Sequence, residues 1–190
     1  MIVDDGRRYL ERTSEKYDLI VIDPAPPVEA VGSSLLYSRE LLVLVKNHLT
    51  PNGVLAHWLP RAGGDRTTDA SLLKALHEVF PNLHVYNSLN QLGYHFLASQ
   101  KPLPEPNARD MLARMPVKAV KDLMEWNRID PVLLLEKVLS LKVTPNQRLA
   151  EASEIPSLTD DRPINEYFLL RQMGFIHSME KRGQPHGYYE

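Results

Sequence analysis

The residues best placed to do chemistry are carboxylates at strand ends. Asp23 closes the apolar run Tyr17-Asp18-Leu19-Ile20-Val21-Ile22 and is followed by Pro24. A run that is apolar on both faces suits a buried parallel strand, and the carboxyl ends of such strands border the ligand crevices of open α/β sheets. A carboxylate sheltered there is a competent general base; the alternative is a turn carboxylate that caps backbone amides beside Pro24. Asp5-Gly6 follows a second strand end, Met1-Ile2-Val3. A carboxylate at that point can accept a hydrogen bond from an amino group such as adenine's, and the glycine lets a ligand approach the backbone. The simpler alternative, favoured on position alone, is a strand-to-helix turn with Asp5 as the cap. In Asp160-Asp161-Arg162-Pro163 an intramolecular Asp–Arg pair and a helix start at Pro163 outweigh a catalytic role. Ser33-Ser34 lacks the glycine frame of a nucleophile elbow. The histidines show no metal-ligand spacing, and His77 and His84 stand alone.

The elements that must carry these groups alternate in type. Tyr17 to Asp23 reads as a strand, and Ser38 caps a helix to about His48 whose buried side is Leu41, Leu42, Val45 and Leu49. Thr50-Pro51-Asn52-Gly53 reads as a turn before a strand from Val54 to Leu59. Thr68 or Asp69 caps a second helix with Leu72, Leu73, Leu76 and Val79 facing inward. Strands from Leu83 to Asn87 and from His95 to Ser99 follow. Repeated β–α–β units predict a parallel α/β sheet with right-handed crossovers.

At the start, Met1-Ile2-Val3 reads as the tip of a strand without its body, leading into a helix from about Arg7 to Ser14. The expected organisation is a partial sheet domain over 1–100, a stiff proline-rich connector over 101–107, a helical extension over 108–180 and a loose tail over 181–190. Helices are expected from Ala108 to Arg114, from Pro116 to Trp126, and after Asp130-Pro131 with Leu133, Leu134, Val138 and Leu141. No strand is expected beyond the connector. The Leu and Met stripe of these helices reads as core.

With 190 residues, a net charge of −2 and 43% hydrophobic residues, the chain is neither a basic nucleic-acid binder nor an acidic disordered segment. It has no cysteine, which removes disulfides, thiolate nucleophiles, iron–sulfur clusters and cysteine zinc sites. No apolar run approaches the roughly 18 residues of a membrane span, and charges occupy the place of a signal peptide's apolar core. The cytoplasm is the expected compartment, with no nucleic-acid partner and no metal.

Asp5-Gly6-Arg7-Arg8-Tyr9-Leu10 followed by Tyr17-Asp18-Leu19-Ile20-Val21-Ile22-Asp23 resembles the Asp-Gly-x-x-Phe-Leu … Tyr-Asp-Val-Ile-Ile-x-Asp signature of the polyamine aminopropyltransferase (spermidine synthase) family. Leu36-Tyr37, Leu49-x-Pro-x-Gly53 and Val85-x-x-Tyr fit the segments that come next. Thr159-Asp-Asp-Arg-Pro-Ile-Asn-Glu-Tyr167 is similar to the closing motif of bacterial members fused to a membrane part. The resemblance covers about residues 3–100 and, specifically, 157–171. It implies a class I methyltransferase-like (Rossmann) fold. It implies transfer of an aminopropyl group from decarboxylated S-adenosylmethionine, used as co-substrate with no tightly bound cofactor, to a di- or polyamine. Asp5, with Gly6, would bind the adenine end; Asp23 would orient and deprotonate the attacking amine; Tyr37 would line the substrate site.

Three departures accompany the likeness. The family's Asp-x-x-Asp becomes Asp23-Pro24-Ala25-Pro26, leaving Glu29 as the stand-in for the second carboxylate. Trp58 occupies the place of the family's strand-end glutamine. Nothing before Asp4 corresponds to the family's β-hairpin domain, glycine-rich loop and ribose-binding acid. In the family's strand order 3-2-1-4-5-7-6 this chain would keep the tip of strand 3 and strands 4 to 7. Residues 1–14 would then lack a docking site, and the Tyr17 strand would offer a bare apolar edge to a second copy or to a separate N-terminal partner. Two other functions fit the same residues: an S-adenosylmethionine-dependent methyltransferase-like domain, which Pro26 favours, and a non-catalytic interaction module, which the missing glycine loop favours.

Overall fold

The computed structural model describes residues 4–24, 27–60, 65–126, 128–144 and 154–181. The strand tip at 1–3, the Pro26 substitution and the tail at 182–190 lie outside them. The described elements are α1 (Gly6–Arg12), β1 (Tyr17–Ile22), α2 (Arg39–His48), β2 (Leu49–Pro60), α3 (Arg66–Val79), β3 (Asn82–Asn87), β4 (Gly93–Ser99), α4 (Ala108–Arg114), α5 (Val117–Trp126), α6 (Pro131–Ser140), β5 (Lys142–Val143) and α7 (Phe168–Lys181), with short 3-10 turns at Ser33–Leu36 and Ile164–Tyr167. None of the described helices is long and apolar enough to cross a membrane.

The five strands form one sheet in the order β1-β2-β4-β3-β5. β1 and β2 are parallel, whereas β4 runs antiparallel to both β2 and β3. The sheet is therefore mixed, not parallel throughout: β3 and β4 are joined by a hairpin too short for a crossover. The order of the first four strands is the 4-5-7-6 segment that the family resemblance implies. β5, which the helical pattern beyond residue 101 concealed, pairs with β3 through Val85 and Tyr86.

One face of the sheet carries the main core. Leu55, His57 and Leu59 of β2 stand opposite Ala98, Phe96 and Tyr94 of β4 and are all buried. Leu41, Leu42 and Val45 of α2 and Leu72, Leu73, Leu76 and Val79 of α3 close over them, the inward faces expected from their helical spacing. Ser38 caps α2, its hydroxyl accepting the Leu41 N–H at 3.2 Å. The cap of α3 is Asp65, not Thr68 or Asp69, and it takes both the Thr67 N–H and the Thr68 hydroxyl. Pro163 likewise precedes a 3-10 turn, and the longer helix begins only at Phe168.

Thr50-Pro51-Asn52-Gly53 is not a turn but an irregularity inside β2, where the pairing jumps from Tyr17↔Leu49 to Leu19↔Val54. Gly53 is required there, since a Cβ would lie 2.9 Å from the Tyr17 carbonyl oxygen. The opposite face of the sheet is unevenly covered. Leu19 and Val21 of β1 are 57% and 63% exposed, on the strand that forms the sheet's edge. At the other end, Tyr86, Ala108, Leu134 and Leu135 are buried.

α1 does have a docking site, contrary to expectation. Leu10 enters the core, the Tyr9 and Tyr17 hydroxyls meet at 3.0 Å, and His48 at the end of α2 bonds the Thr13 carbonyl at 3.0 Å. Its anchor is α2, which the chain retains. The expected core stripe of the later helices is only partly buried: Leu133, Leu169, Leu170 and Met173 are all more than half exposed.

Candidate functional site

Asp23 follows β1 directly, at the carboxyl end of the two parallel strands. It is exposed, so it stands at the mouth of the site and not in a dry crevice. Ile22 pairs with His57 on β2, which places the histidine one rung from Asp23. His57 is 4% exposed, its Nε2 has no hydrogen-bond partner, and burial pushes its pKa down to about 4, so the ring is neutral at physiological pH.

The His57 ring stacks on Tyr37, with centroids 5.1 Å apart and planes 10° from parallel. Tyr37 is 1% exposed, and its hydroxyl also lacks a partner. Burial raises the Tyr37 pKa well above the ordinary phenol range, and the charges of Asp23 and Glu29 raise it further. That electrostatic contact brings together Asp23, Glu29 and Tyr37, three of the residues singled out in the sequence. Buried polar atoms without partners are uncommon in folded proteins; two of them, Tyr37 Oη and His57 Nε2, belong to this one cluster.

Asp5 lies elsewhere in the local geometry. Its carboxylate accepts the Arg8 N–H at 2.9 Å and so caps α1, as the simpler sequence reading proposed. One of its oxygens is thereby engaged. Gly6 is exposed and opens α1, with no atom within 4 Å of where a Cβ would stand. Trp58 is half-buried on the opposite face of β2 from His57.

His57 is the residue the sequence reading missed. A single histidine among apolar strand residues gives no spacing signal, and only the register of β2 against β1 reveals its neighbour. The closing motif was noted for an Asp–Arg pair, and one forms, though over a long range. The Arg7 guanidinium makes a forked bond to both Asp160 oxygens, which holds the Asp160 carboxyl below its ordinary pKa and raises that of Arg7. Asn165, fully buried, donates to the Val28 carbonyl and to Ser33 Oγ in the loop between β1 and α2.

No protein-family model matches the chain. Polyamine aminopropyltransferase 2 of Pseudomonas aeruginosa is 33% identical over 89 residues, which is 46% of this chain and 26% of that protein. Among solved structures, a probable spermidine synthase from Corynebacterium glutamicum superposes with a TM-score of 0.55 at 17% identity, over 84% of this chain and 53% of that one. A spermidine synthase in complex with the transition-state analogue AdoDATO matches with a TM-score of 0.51 at 19% identity, over 79% of this chain and 48% of that one. The chain thus spans about half the length of the solved structures it matches. It has the Rossmann-like fold of the spermidine synthases, and over just under half of its residues its sequence resembles the polyamine aminopropyltransferases.

Proposed function

We propose that the Asp23 cluster is the amine side of an aminopropyl-transfer site, in a chain that carries part of a spermidine synthase-like domain. The observation that carries this reading is the grouping of Asp23, Glu29 and the unpartnered Tyr37 hydroxyl and His57 nitrogen at the end of β1. Two carboxylates beside neutral hydrogen-bonding groups suit a diamine or polyamine, whose distal ammonium needs a counter-charge and whose reacting nitrogen must lose its proton.

In that reaction the acceptor nitrogen bonds to the aminopropyl carbon attached to sulfur as the carbon–sulfur bond breaks. The bonding electrons stay on sulfur, which turns from sulfonium to neutral thioether, and the proton leaves the acceptor nitrogen to the Asp23 carboxylate. Glu29 holds the far end of the acceptor in place of the family's second carboxylate, and Tyr37 walls the site. Positioning plus one base accounts for much of such an acceleration. The donor is decarboxylated S-adenosylmethionine; one Asp5 oxygen remains for the adenine amino group beside Gly6. The matched synthase that holds AdoDATO supports a donor of this class.

The same reading gives the open edge of β1 an occupant: the strands that lie in the half of the matched structures without a counterpart here. The domain spans given above, 1–100, 101–107, 108–180 and 181–190, and a cytoplasmic setting belong to this proposal as well.

Incubating the chain with decarboxylated S-adenosylmethionine and a panel of diamines, with mass-spectrometric detection of methylthioadenosine and the extended amine, tests it. Asp23→Asn is expected to slow transfer by at least about a hundredfold, the scale of a general base. An Asp23→Asn variant as fast as the parent removes Asp23 from the chemistry. Methyl transfer in place of aminopropyl transfer would favour the methyltransferase alternative, and no transfer at all would favour the non-catalytic module.

A further inference from the structure

Residues 155–171 bind the elements around the crevice without contributing a reacting group to it. Ser71 Oγ donates to the Pro156 carbonyl at 2.8 Å, and Lys74 Nζ to the Ile155 carbonyl at 2.8 Å. Leu158, fully buried, accepts the Arg39 N–H at 2.9 Å, and its own N–H donates to the Ser71 carbonyl. Asp160 grips Arg7 of α1, and its N–H donates to Glu40 of α2 at 3.0 Å. Arg171 bonds Asp65 and Thr68 at the start of α3, and the Ile164 carbonyl.

Two side chains of this segment reach the loop that presents Glu29 and Tyr37. The 3-10 turn Ser33–Leu36 starts after Gly32, at φ 82°, and has no side-chain cap of its own. Glu166 supplies that cap from 132 positions away, its carboxylate accepting the Ser34 N–H at 3.1 Å and the Gly32 N–H. Burial raises the Glu166 pKa, but these bonds outweigh it and leave the carboxyl below its ordinary range. Asn165 adds donors to Val28 O and to Ser33 Oγ (2.8 Å), while Ser33 Oγ itself donates to Val28 O at 2.6 Å. Its Oδ1 has no partner, so the amide is held for its donor side.

We infer that Asn165 and Glu166 are positioning residues: they fix the loop 28–37 so that Glu29 and Tyr37 stand against Asp23. The role assigned to that alignment rests on reading the crevice as an amine site, but the alignment itself is measurable without any substrate. Free backbone donors at the start of a turn are otherwise left to water, and a loop held only by water would not keep Tyr37 buried beside two carboxylates.

The test compares Glu166→Ala with Glu166→Gln, which keeps an acceptor oxygen. Amide hydrogen exchange is followed across residues 32–37 and across β2 and β4, and the Tyr37 phenol is titrated by carbon-13 NMR. Glu166→Ala is expected to speed exchange of the Gly32 and Ser34 amides by at least about tenfold, the scale of one lost charge-assisted hydrogen bond. It should also bring Tyr37 ionisation down toward the ordinary phenol range while β2 and β4 keep their protection. Glu166→Gln is expected to stay near the parent in both readouts. Parent-like behaviour of Glu166→Ala, or Gln matching Ala, overturns the inference. Should Glu166→Ala unravel β2 and β4 too, Glu166→Gln decides: retained protection at 32–37 supports the role, and loss confined to 32–37 refutes it. Neither readout uses donor or amine, so a failed transfer assay leaves this result standing.

Discussion

Among single residues, His57 combines the largest physical cost with the least sequence signal. Its folded pKa of about 4 lies below the 6.5 of an unfolded histidine. The unfolded chain therefore binds the extra proton between those values, and stability rises with pH across that window. The contribution is fully present above pH 6.5 and lost as pH falls toward 4, at up to about 1.4 kcal/mol per pH unit. His57→Gln, which keeps polar atoms without the titration, is expected to flatten that slope. Urea unfolding at pH 7 and pH 5 checks it, and an unchanged slope would show that other groups carry the dependence. Asp23 was legible in the sequence because it ends an apolar run. Tyr37 came from a family resemblance. His57 depends on the rung shared with Ile22, which no local pattern encodes.

At the scale of elements, local rules read the helices well and the sheet less so. Ser38 and the spacing of Leu41, Leu42 and Val45 mark α2 because cap and period lie within a few residues of each other. Strand direction does not: the reversal of β4 follows from the short hairpin after β3, and the two-residue β5 is too brief for a period. Thr50-Pro51-Asn52-Gly53 carries turn chemistry, yet pairing with β1 keeps it extended. Another glycine fixes β4: a Cβ at Gly93 would lie 2.4 Å from the Leu59 carbonyl oxygen and 2.9 Å from Trp58 Nε1. Because the obstacle is backbone, Gly93→Ala must shift one strand, and a loss of about 1–3 kcal/mol is expected, as for overpacked cores. Chemical denaturation measures it; a variant as stable as the parent would mean that β4 pairs more loosely than the register indicates.

For the whole molecule, the informative feature is the edge at β1, where Leu19 and Val21 are more than half exposed on a strand with one unpaired side. Edges of this kind recruit other strands. The chain alone is expected to self-associate on the order of tens of micromolar, and Leu19→Lys with Val21→Lys to shift it toward monomer. Sedimentation velocity reads this, and a clean monomer of the parent would count against an edge open to pairing. The contacts that hold the rest together, Arg7 with Asp160 and Asn165 with Val28, span more than 130 positions. They were invisible in the sequence except as a motif without an assigned task. The account as a whole stands on the kind of ligand the crevice takes, and titration calorimetry of the parent chain with decarboxylated S-adenosylmethionine, S-adenosylmethionine and methylthioadenosine addresses that most directly. The decarboxylated form is expected to bind more tightly than S-adenosylmethionine, whose extra carboxylate would face Asp23 and Glu29; preference for S-adenosylmethionine, or no heat with any of the three, would contradict the account.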